Sequence, residues 1–323
     1  KNGISGSAYF YIRVTDLDAT YSIKNRSTGR YVDVDGPSHN TGAIIHQWDL
    51  HESNQCRWIL TQQYDGYYTL RSVYSGLYLG VENNSASSGT AIKQYSYSDD
   101  ANGIFWKIIS TSENAVKLVP KSNSAMALSV HSDGNANGTD LVQYVYSNDS
   151  NHKDEWFLER WLPTSGQEIA YEPAVWNETS LKSKTNCYGY VLNYKGYIHN
   201  DNILEPGEAA YFRNYTMNQE MIIKAVQYDQ EVLGFVFQPI DRYEKCTYGY
   251  KVALVIDEGN DYHWYRQNPN GTWSHKKGRT EVTCLDASGK IILDPQSADR
   301  SYAFSNYDQF IGYYRVTSVN AEN

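Results

Sequence analysis

Through the first half of the chain, apolar residues come in short runs such as "YVDV" (31–34), "YLGV" (78–81) and "MALSV" (126–130). Clusters of Gly, Asn and Ser separate them. Such runs, bounded by turn residues, predict short half-buried strands rather than helices. The runs also repeat. The segment "GRYVDVDGPSHNTGAIIHQWDLHESNQCRWIL" is echoed by "GLYLGVENNSASSGTAIKQYSYSDDANGIFWKI" and again by "AMALSVHSDGNANGTDLVQYVYSNDSNHKDEWFL". Four markers align across the copies: Val34, Val81 and Val130; Gly42, Gly89 and Gly138; Gln47, Gln94 and Gln143; Trp58, Trp106 and Trp156. Each marker recurs at intervals of 47 to 50 residues. Three β units of this size cannot each bury a face alone. Closing them about a pseudo-threefold axis predicts one all-β body, with the Trp and aliphatic positions inside.

After Trp161 the repeat stops. The stretch "LPTSGQEIAYEPAV" has the Pro, Gly and Ser content of a linker, and a mixed pattern follows. Asn186 is a good N-cap for a helix beginning at "CYGYV", and "NQEMIIKAVQYDQEVLGF" carries apolar residues at helical spacing. "YKVALVID", "YHWYRQ" and "TWSHKK" read as three consecutive strands joined by "EGND" and "NPNG" turns. The pattern predicts two domains, residues 1–162 all-β and residues 163–323 α+β.

Bulk composition narrows the function. The 323 residues are 41% hydrophobic and 20% charged, as in packed globular chains. A formal charge of -9 argues against nucleic acid, whose phosphates need a basic surface. No apolar run is long enough to span a bilayer. The 30 Tyr residues suit half-buried strands and surfaces that stack on sugars. A chain starting at Lys1 without a leader reads as a mature or trimmed form, and secretion is inferred rather than read. Four cysteines are too few for a disulfide scaffold, although a Cys246–Cys284 bridge is open in an oxidising compartment.

The threefold pattern resembles the ricin-B-type β-trefoil lectins. That resemblance implies a sugar pocket in which an Asp binds two hydroxyls, an aromatic ring stacks on the sugar and an Asn-Gln pair completes the hydrogen bonding. The first repeat supplies Asp33, Trp48, Asn54 and Gln55, with one residue more than usual between Gln55 and Trp58. The second repeat has Gly80 and the third Ser129 in place of Asp33, while Tyr95 and Tyr144 keep the aromatic. One good site, in the first repeat, is expected.

The second half offers a nucleophile. Cys187 falls at a predicted helix start, where unpaired N–H groups and the helix dipole favour a thiolate. His263 opens one strand and His275 lies in the next, so a hairpin places both on one sheet face. His263 is then the base and His275 the group that orients it, with Asp286 or Asp294 as orienters if the roles of the histidines are exchanged. "NCYG" followed by two strand histidines resembles the NlpC-type endopeptidases of the papain-like clan. The resemblance implies attack of Cys187 on an amide carbonyl and a thioester intermediate. Ala174 stands near that family's oxyanion Tyr, leaving Asn177 or the Cys187 backbone N–H as donor. The acidic stretch "HNDNILEPGE" (199–208) reads as a solvated loop, and no HExxH or CxxC pair suggests a metal or cofactor. The joint expectation is a secreted cysteine hydrolase, steered to a glycan or glycoprotein and cutting a peptide or peptidoglycan-type amide. The alternative is a lectin or toxin-like protein with a silent papain-like domain.

Overall fold

The computed structural model describes residues 18–98, 102–132, 134–199 and 201–319. The chain divides into two compact units, Lys1–Arg160 and Trp161–Asn323.

The first unit contains four strands per repeat. The first repeat supplies β1 (Ala19–Asn25), β2 (Tyr31–Val34), β3 (Ile45–Trp48) and β4 (Trp58–Gln62). The second supplies β5 (Tyr68–Ser72), β6 (Tyr78–Val81), β7 (Thr90–Tyr95) and β8 (Trp106–Ser110). The third supplies β9 (Val116–Pro120), β10 (Met126–Val130), β11 (Thr139–Val145) and β12 (Trp156–Arg160). Antiparallel pairing runs β1–β4–β5–β8–β9–β12 and returns to β1, which closes a six-stranded barrel. The remaining pairs, β2–β3, β6–β7 and β10–β11, are hairpins, and β11 bridges to both β3 and β7. A barrel capped by three equivalent hairpins is a β-trefoil.

Every repeated marker has a physical job. Val34, Val81 and Val130 are buried in one common core. The indole N–H of Trp58, Trp106 and Trp156 donates to the carbonyls of Val32, Leu79 and Leu128, each at 2.9 Å. The three glutamines close the ring. The Gln47 amide donates to Ala136 O at 3.2 Å, Gln94 to Asn40 O at 2.9 Å and Gln143 to Ser87 O at 2.7 Å. Each repeat therefore ties down a loop of another. Gly42, Gly89 and Gly138 sit at φ near +80° (83, 82 and 81), a left-handed conformation that side chains disfavour. Their N–H groups donate to the carbonyls of Gln94, Gln143 and Gln47.

The second unit is mostly sheet with few helices. Short helices α1 (Pro173–Trp176), α2 (Thr179–Lys182) and α3 (Cys187–Val191) come first. A two-residue hairpin follows, β13 (Tyr197–Ile198) with β14 (Asn202–Ile203), and then α4 (Gln219–Leu233). The rest is strand: β15 (Phe237–Ile240), β16 (Tyr250–Asp257), β17 (Asp261–Gln267), β18 (Trp273–Lys276), β19 (Val282–Thr283) and β20 (Gln309–Val316). They form one antiparallel sheet in the order β15-β20-β16-β17-β18-β19. Both faces are covered. Val252, Leu254, Ile256 and Trp264 pack with Tyr188, Tyr190, Ile222 and Val226 of α3 and α4. Ala253, Val255, Tyr265 and Trp273 pack with Leu162, Ile292 and Tyr313 on the other side. The alternation along β16 explains why its sequence reads as one unbroken apolar run.

Both longer helix predictions rest on real caps. Asn186 Oδ1 accepts from Gly189 N at 2.9 Å, and Asn218 Oδ1 accepts from Met221 N at 3.0 Å. Helix α4 ends at Gly234, which is left-handed at φ 72°. The Cys246–Cys284 bridge is not formed. All four cysteines are buried and none is disulfide-bonded.

Candidate functional site

In the first repeat, Asp33 and His46 are directly opposed across the β2–β3 ladder. That register turns His46 Nε2 onto Asp33 Oδ1 at 3.1 Å. His51, in the loop after β3, places Nε2 2.9 Å from Asp33 Oδ2. Both carboxylate oxygens are thus engaged, and the side chain is only 3% exposed. Gln55 faces inward as well, donating to Val34 O at 3.2 Å and Gly36 O at 2.8 Å. Asn54 is half-buried in the same turn. Trp48 alone of the four predicted residues offers an open surface, 39% exposed and stacked on His46. The hairpin brings Asp33, Trp48 and Gln55 together, but it holds Asp33 and Gln55 in internal bonds. His46 and His51 carry no repeat signature, so the pattern did not single them out.

The third repeat holds a cavity of about 390 Å³ that includes Ser129, Ser132, Tyr144, Ser147 and Asp154. Tyr144 supplies a half-buried ring with His131 stacked nearby, centroids 6.3 Å apart. Asp154 Oδ2 accepts from the Ser147 N–H at 2.9 Å and its hydroxyl at 3.2 Å. Its other oxygen, buried, has no hydrogen-bond partner among the described residues. Aromatic ring, hydroxyls and carboxylate therefore converge in one concavity. Sequence reasoning noted Tyr144 as a retained aromatic, read Ser129 as the loss of the Asp ligand, and missed Asp154, which lies two residues before the marker Trp156.

In the second unit, Cys187 and His263 line one cavity of about 480 Å³, together with Asn186, Glu205, Asp261 and Tyr307. The hairpin β17–β18 sets His263 and His275 side by side, His263 Nε2 lying 2.7 Å from His275 Nδ1. The hydrogen-bond chain fixes their protons. The Leu285 carbonyl can only accept, so His275 donates to it from Nε2 at 3.0 Å. Burial, above all, pushes the His275 imidazole down to about 4, so it is neutral at pH 7 and its Nδ1 is a bare acceptor. His263 must then donate from Nε2, which leaves the lone pair of a neutral ring on Nδ1. Burial, then the neighbouring His275 and Lys277, hold His263 well below its ordinary value.

The helix start does not lower the Cys187 thiol. Burial first, and then the carboxylates of Glu205 and Asp261, drive it well above the ordinary range. Helix α3 is one turn long, so its dipole is too small to oppose these effects. The resting pair is accordingly thiol and neutral imidazole. The 199–208 stretch is more than a solvated loop, because Glu205 lines this cavity and burial, with the charges of Asp261 and Glu208 behind it, raises its carboxyl. Asn177 does not face the cavity as an oxyanion donor; its Oδ1 accepts from Val282 N at 2.8 Å and fixes β19. Among the described residues neither Asp286 nor Asp294 hydrogen-bonds a histidine: Asp286 accepts from the N–H groups of Ser288, Lys290 and Asp299 and reaches His275 only through its charge, and Asp294 holds Arg242 and Tyr313. Lys276 instead braces the approach to the nucleophile, its buried ammonium donating to Lys182 O at 2.8 Å and Thr185 O at 2.9 Å.

The barrel and its three capping hairpins define the β-trefoil class of fold. Residues 8–95 and 65–144 match the family described as Ricin-type beta-trefoil lectin domain-like. Insoluble matrix shell protein 1 of Ruditapes philippinarum is 34% identical over 146 residues, which cover 45% of this chain and 88% of that protein. Through its first half, the chain belongs to the ricin-type β-trefoil family. Among solved structures it is similar to the designed threefold-symmetric protein ThreeFoil, at 32% identity and a TM-score of 0.41, covering 43% of this chain and 97% of that one. The ricin B-like lectin of Macrolepiota procera, solved in complex with lactose, is 22% identical with a TM-score of 0.37, covering 45% and 97% respectively. Among the described residues, no helix is long and apolar enough to cross a membrane.

Proposed function

We propose that this protein binds carbohydrate through its trefoil unit, with the third-repeat cavity as the principal pocket. One observation carries the reading: Tyr144, Ser129 and Asp154 line one cavity, which brings a ring, a hydroxyl and a carboxylate together. A sugar ring has an apolar face to lie on the tyrosine and hydroxyls to donate to the carboxylate. The exposed Trp48 supplies a second stacking surface with fewer free polar partners. Glycan-array binding, followed by titration of the best ligand against Tyr144→Ala, Asp154→Asn and Trp48→Ala, tests this. Loss of binding in the first two variants is expected. Binding that falls only with Trp48→Ala would move the principal site to the first repeat, and no glycan binding at all would overturn the proposal. The ricin-type family and the relative named as an insoluble matrix shell protein favour a place of action outside the cell.

A second reading, a cysteine hydrolase in the second unit, is favoured by the His263–His275 pair, whose His263 lines the same cavity as Cys187. In this reading His263 Nδ1 takes the thiol proton as Sγ attacks an amide carbonyl. The C–N bond then breaks, the proton passes to the leaving amine, and water resolves the thioester. Because the resting thiol is neutral, proton transfer accompanies attack instead of preceding it. Glycan binding by the first unit would hold the enzyme on a glycoprotein or peptidoglycan-type surface. Iodoacetamide labelling at neutral pH, located by peptide mass spectrometry, tests the pair. Labelling of Cys187 that slows in His263→Ala supports the reading, whereas equal labelling in both proteins would leave a lectin with a silent second unit.

A further inference from the structure

The loop after β3 contains a cluster that neither glycan binding nor the cysteine chemistry uses. One carboxylate oxygen of Asp33, a ring nitrogen of His51 and the sulfur of Cys56 all lie within 4.8 Å of one another. Asp33 and Cys56 are buried, and His51 is partly exposed, which leaves an opening on one side.

The hydrogen bonds around His51 orient its ring. Gln55 donates its amide N–H groups to Val34 O and Gly36 O, so its oxygen faces Ser53. The Ser53 hydroxyl has one proton and gives it to Gln55 Oε1 at 2.8 Å. His51 Nδ1, 2.7 Å from that same hydroxyl oxygen, is therefore the donor to it. The other ring nitrogen, Nε2, lies 2.9 Å from Asp33 Oδ2. Cys56 adds a third donor, its thiol making long contacts of 3.8 Å to His51 O and Ser53 O.

We propose that Asp33, His51 and Cys56 bind a divalent transition-metal ion of the zinc type. Imidazole nitrogen, carboxylate oxygen and thiolate sulfur form a donor set that suits zinc and disfavours calcium or magnesium, which require oxygen. The charges balance, because one carboxylate and one thiolate neutralise a 2+ ion in a largely buried place. The supports are also present. His46 steadies the other oxygen of Asp33, while Ser53 and Gln55 fix the ring of His51, as partners behind metal ligands do. Zinc bonds of about 2.0 Å to nitrogen and oxygen and about 2.3 Å to sulfur ask the thiol to close in by on the order of 1 Å. Water completes a tetrahedron on the exposed side of His51.

The test uses the intact, tag-free chain with Zn²⁺ and Co²⁺ as probes. One Co²⁺ per chain with a thiolate-to-metal absorption band is expected. The band should vanish in Cys56→Ser and persist in Cys187→Ser. Zn²⁺ affinity measured by equilibrium dialysis should fall by roughly tenfold or more in His51→Gln, a change on a partly exposed side chain that leaves the barrel core intact. Failure to bind either ion, a Co²⁺ spectrum without the thiolate band, or a band that survives Cys56→Ser would each overturn the site.

Discussion

Acidification should loosen the second unit through the histidine pair. His275 is buried, and its imidazole is pushed from an ordinary value of 6.5 down to about 4. In that interval the unfolded chain takes up a proton that the folded chain refuses, so stability rises with pH. The contribution is fully present above pH 6.5 and is lost as pH falls toward 4. Its full size is roughly 3 kcal/mol, of which roughly 2 kcal/mol disappears between pH 7 and pH 5. His263, shifted the same way, adds to the same slope. Urea unfolding at a series of pH values, followed by hydrogen exchange of peptides from β16 to β18, measures this for the second unit alone. His275→Gln removes the titrating group and should flatten the slope, even though carboxylates elsewhere still titrate. A wild-type slope near zero, or one unchanged in His275→Gln, would refute the proton assignment and with it the lone pair on His263 Nδ1.

Other expectations follow from the first unit and the caps. Gln94 makes three side-chain bonds, at 3.0, 2.9 and 2.7 Å, whereas Gln143 makes two while its oxygen is unpartnered. Gln94→Met should cost about 3 kcal/mol and Gln143→Met about 2 kcal/mol, read as hydrogen exchange in the barrel strands; the reverse order would contradict the ring-closing role. Gly138→Ala meets only ordinary contact with Trp48 at 3.6 Å, so its penalty is the strain of φ +81°, about 1 kcal/mol by urea unfolding. Asn186→Ala removes the cap of α3 and should cost about 1 kcal/mol, with Asn186→Asp retaining most of the stability.

Much of this protein was legible in its sequence because local signals and the fold agree. The trefoil follows from markers that recur three times. Each of Val, Gly, Gln and Trp has one duty, which the symmetry repeats. Caps and turns are local, so helices α3 and α4 and the strands β16 to β18 could be drawn from the residues. The pairing of His263 with His275 was also readable, since a short hairpin sets their register.

Tertiary structure decided what depends on distant neighbours. Asp33 looked like a sugar ligand, yet the β2–β3 register turned it onto His46 and the loop brought His51 to its other oxygen. Asp154 became a pocket residue only when the third hairpin folded against the barrel strand β12. The Cys187 thiol was raised, not lowered, because burial and the carboxylates of Glu205 and Asp261 outweigh a one-turn helix. Glu205 lies 18 residues along the chain from Cys187, and no spacing rule places it there. Periodicity fixes which residues are inside and how neighbouring strands align. The charge and proton of a buried group depend on what the rest of the chain brings against it, and that is decided only on folding.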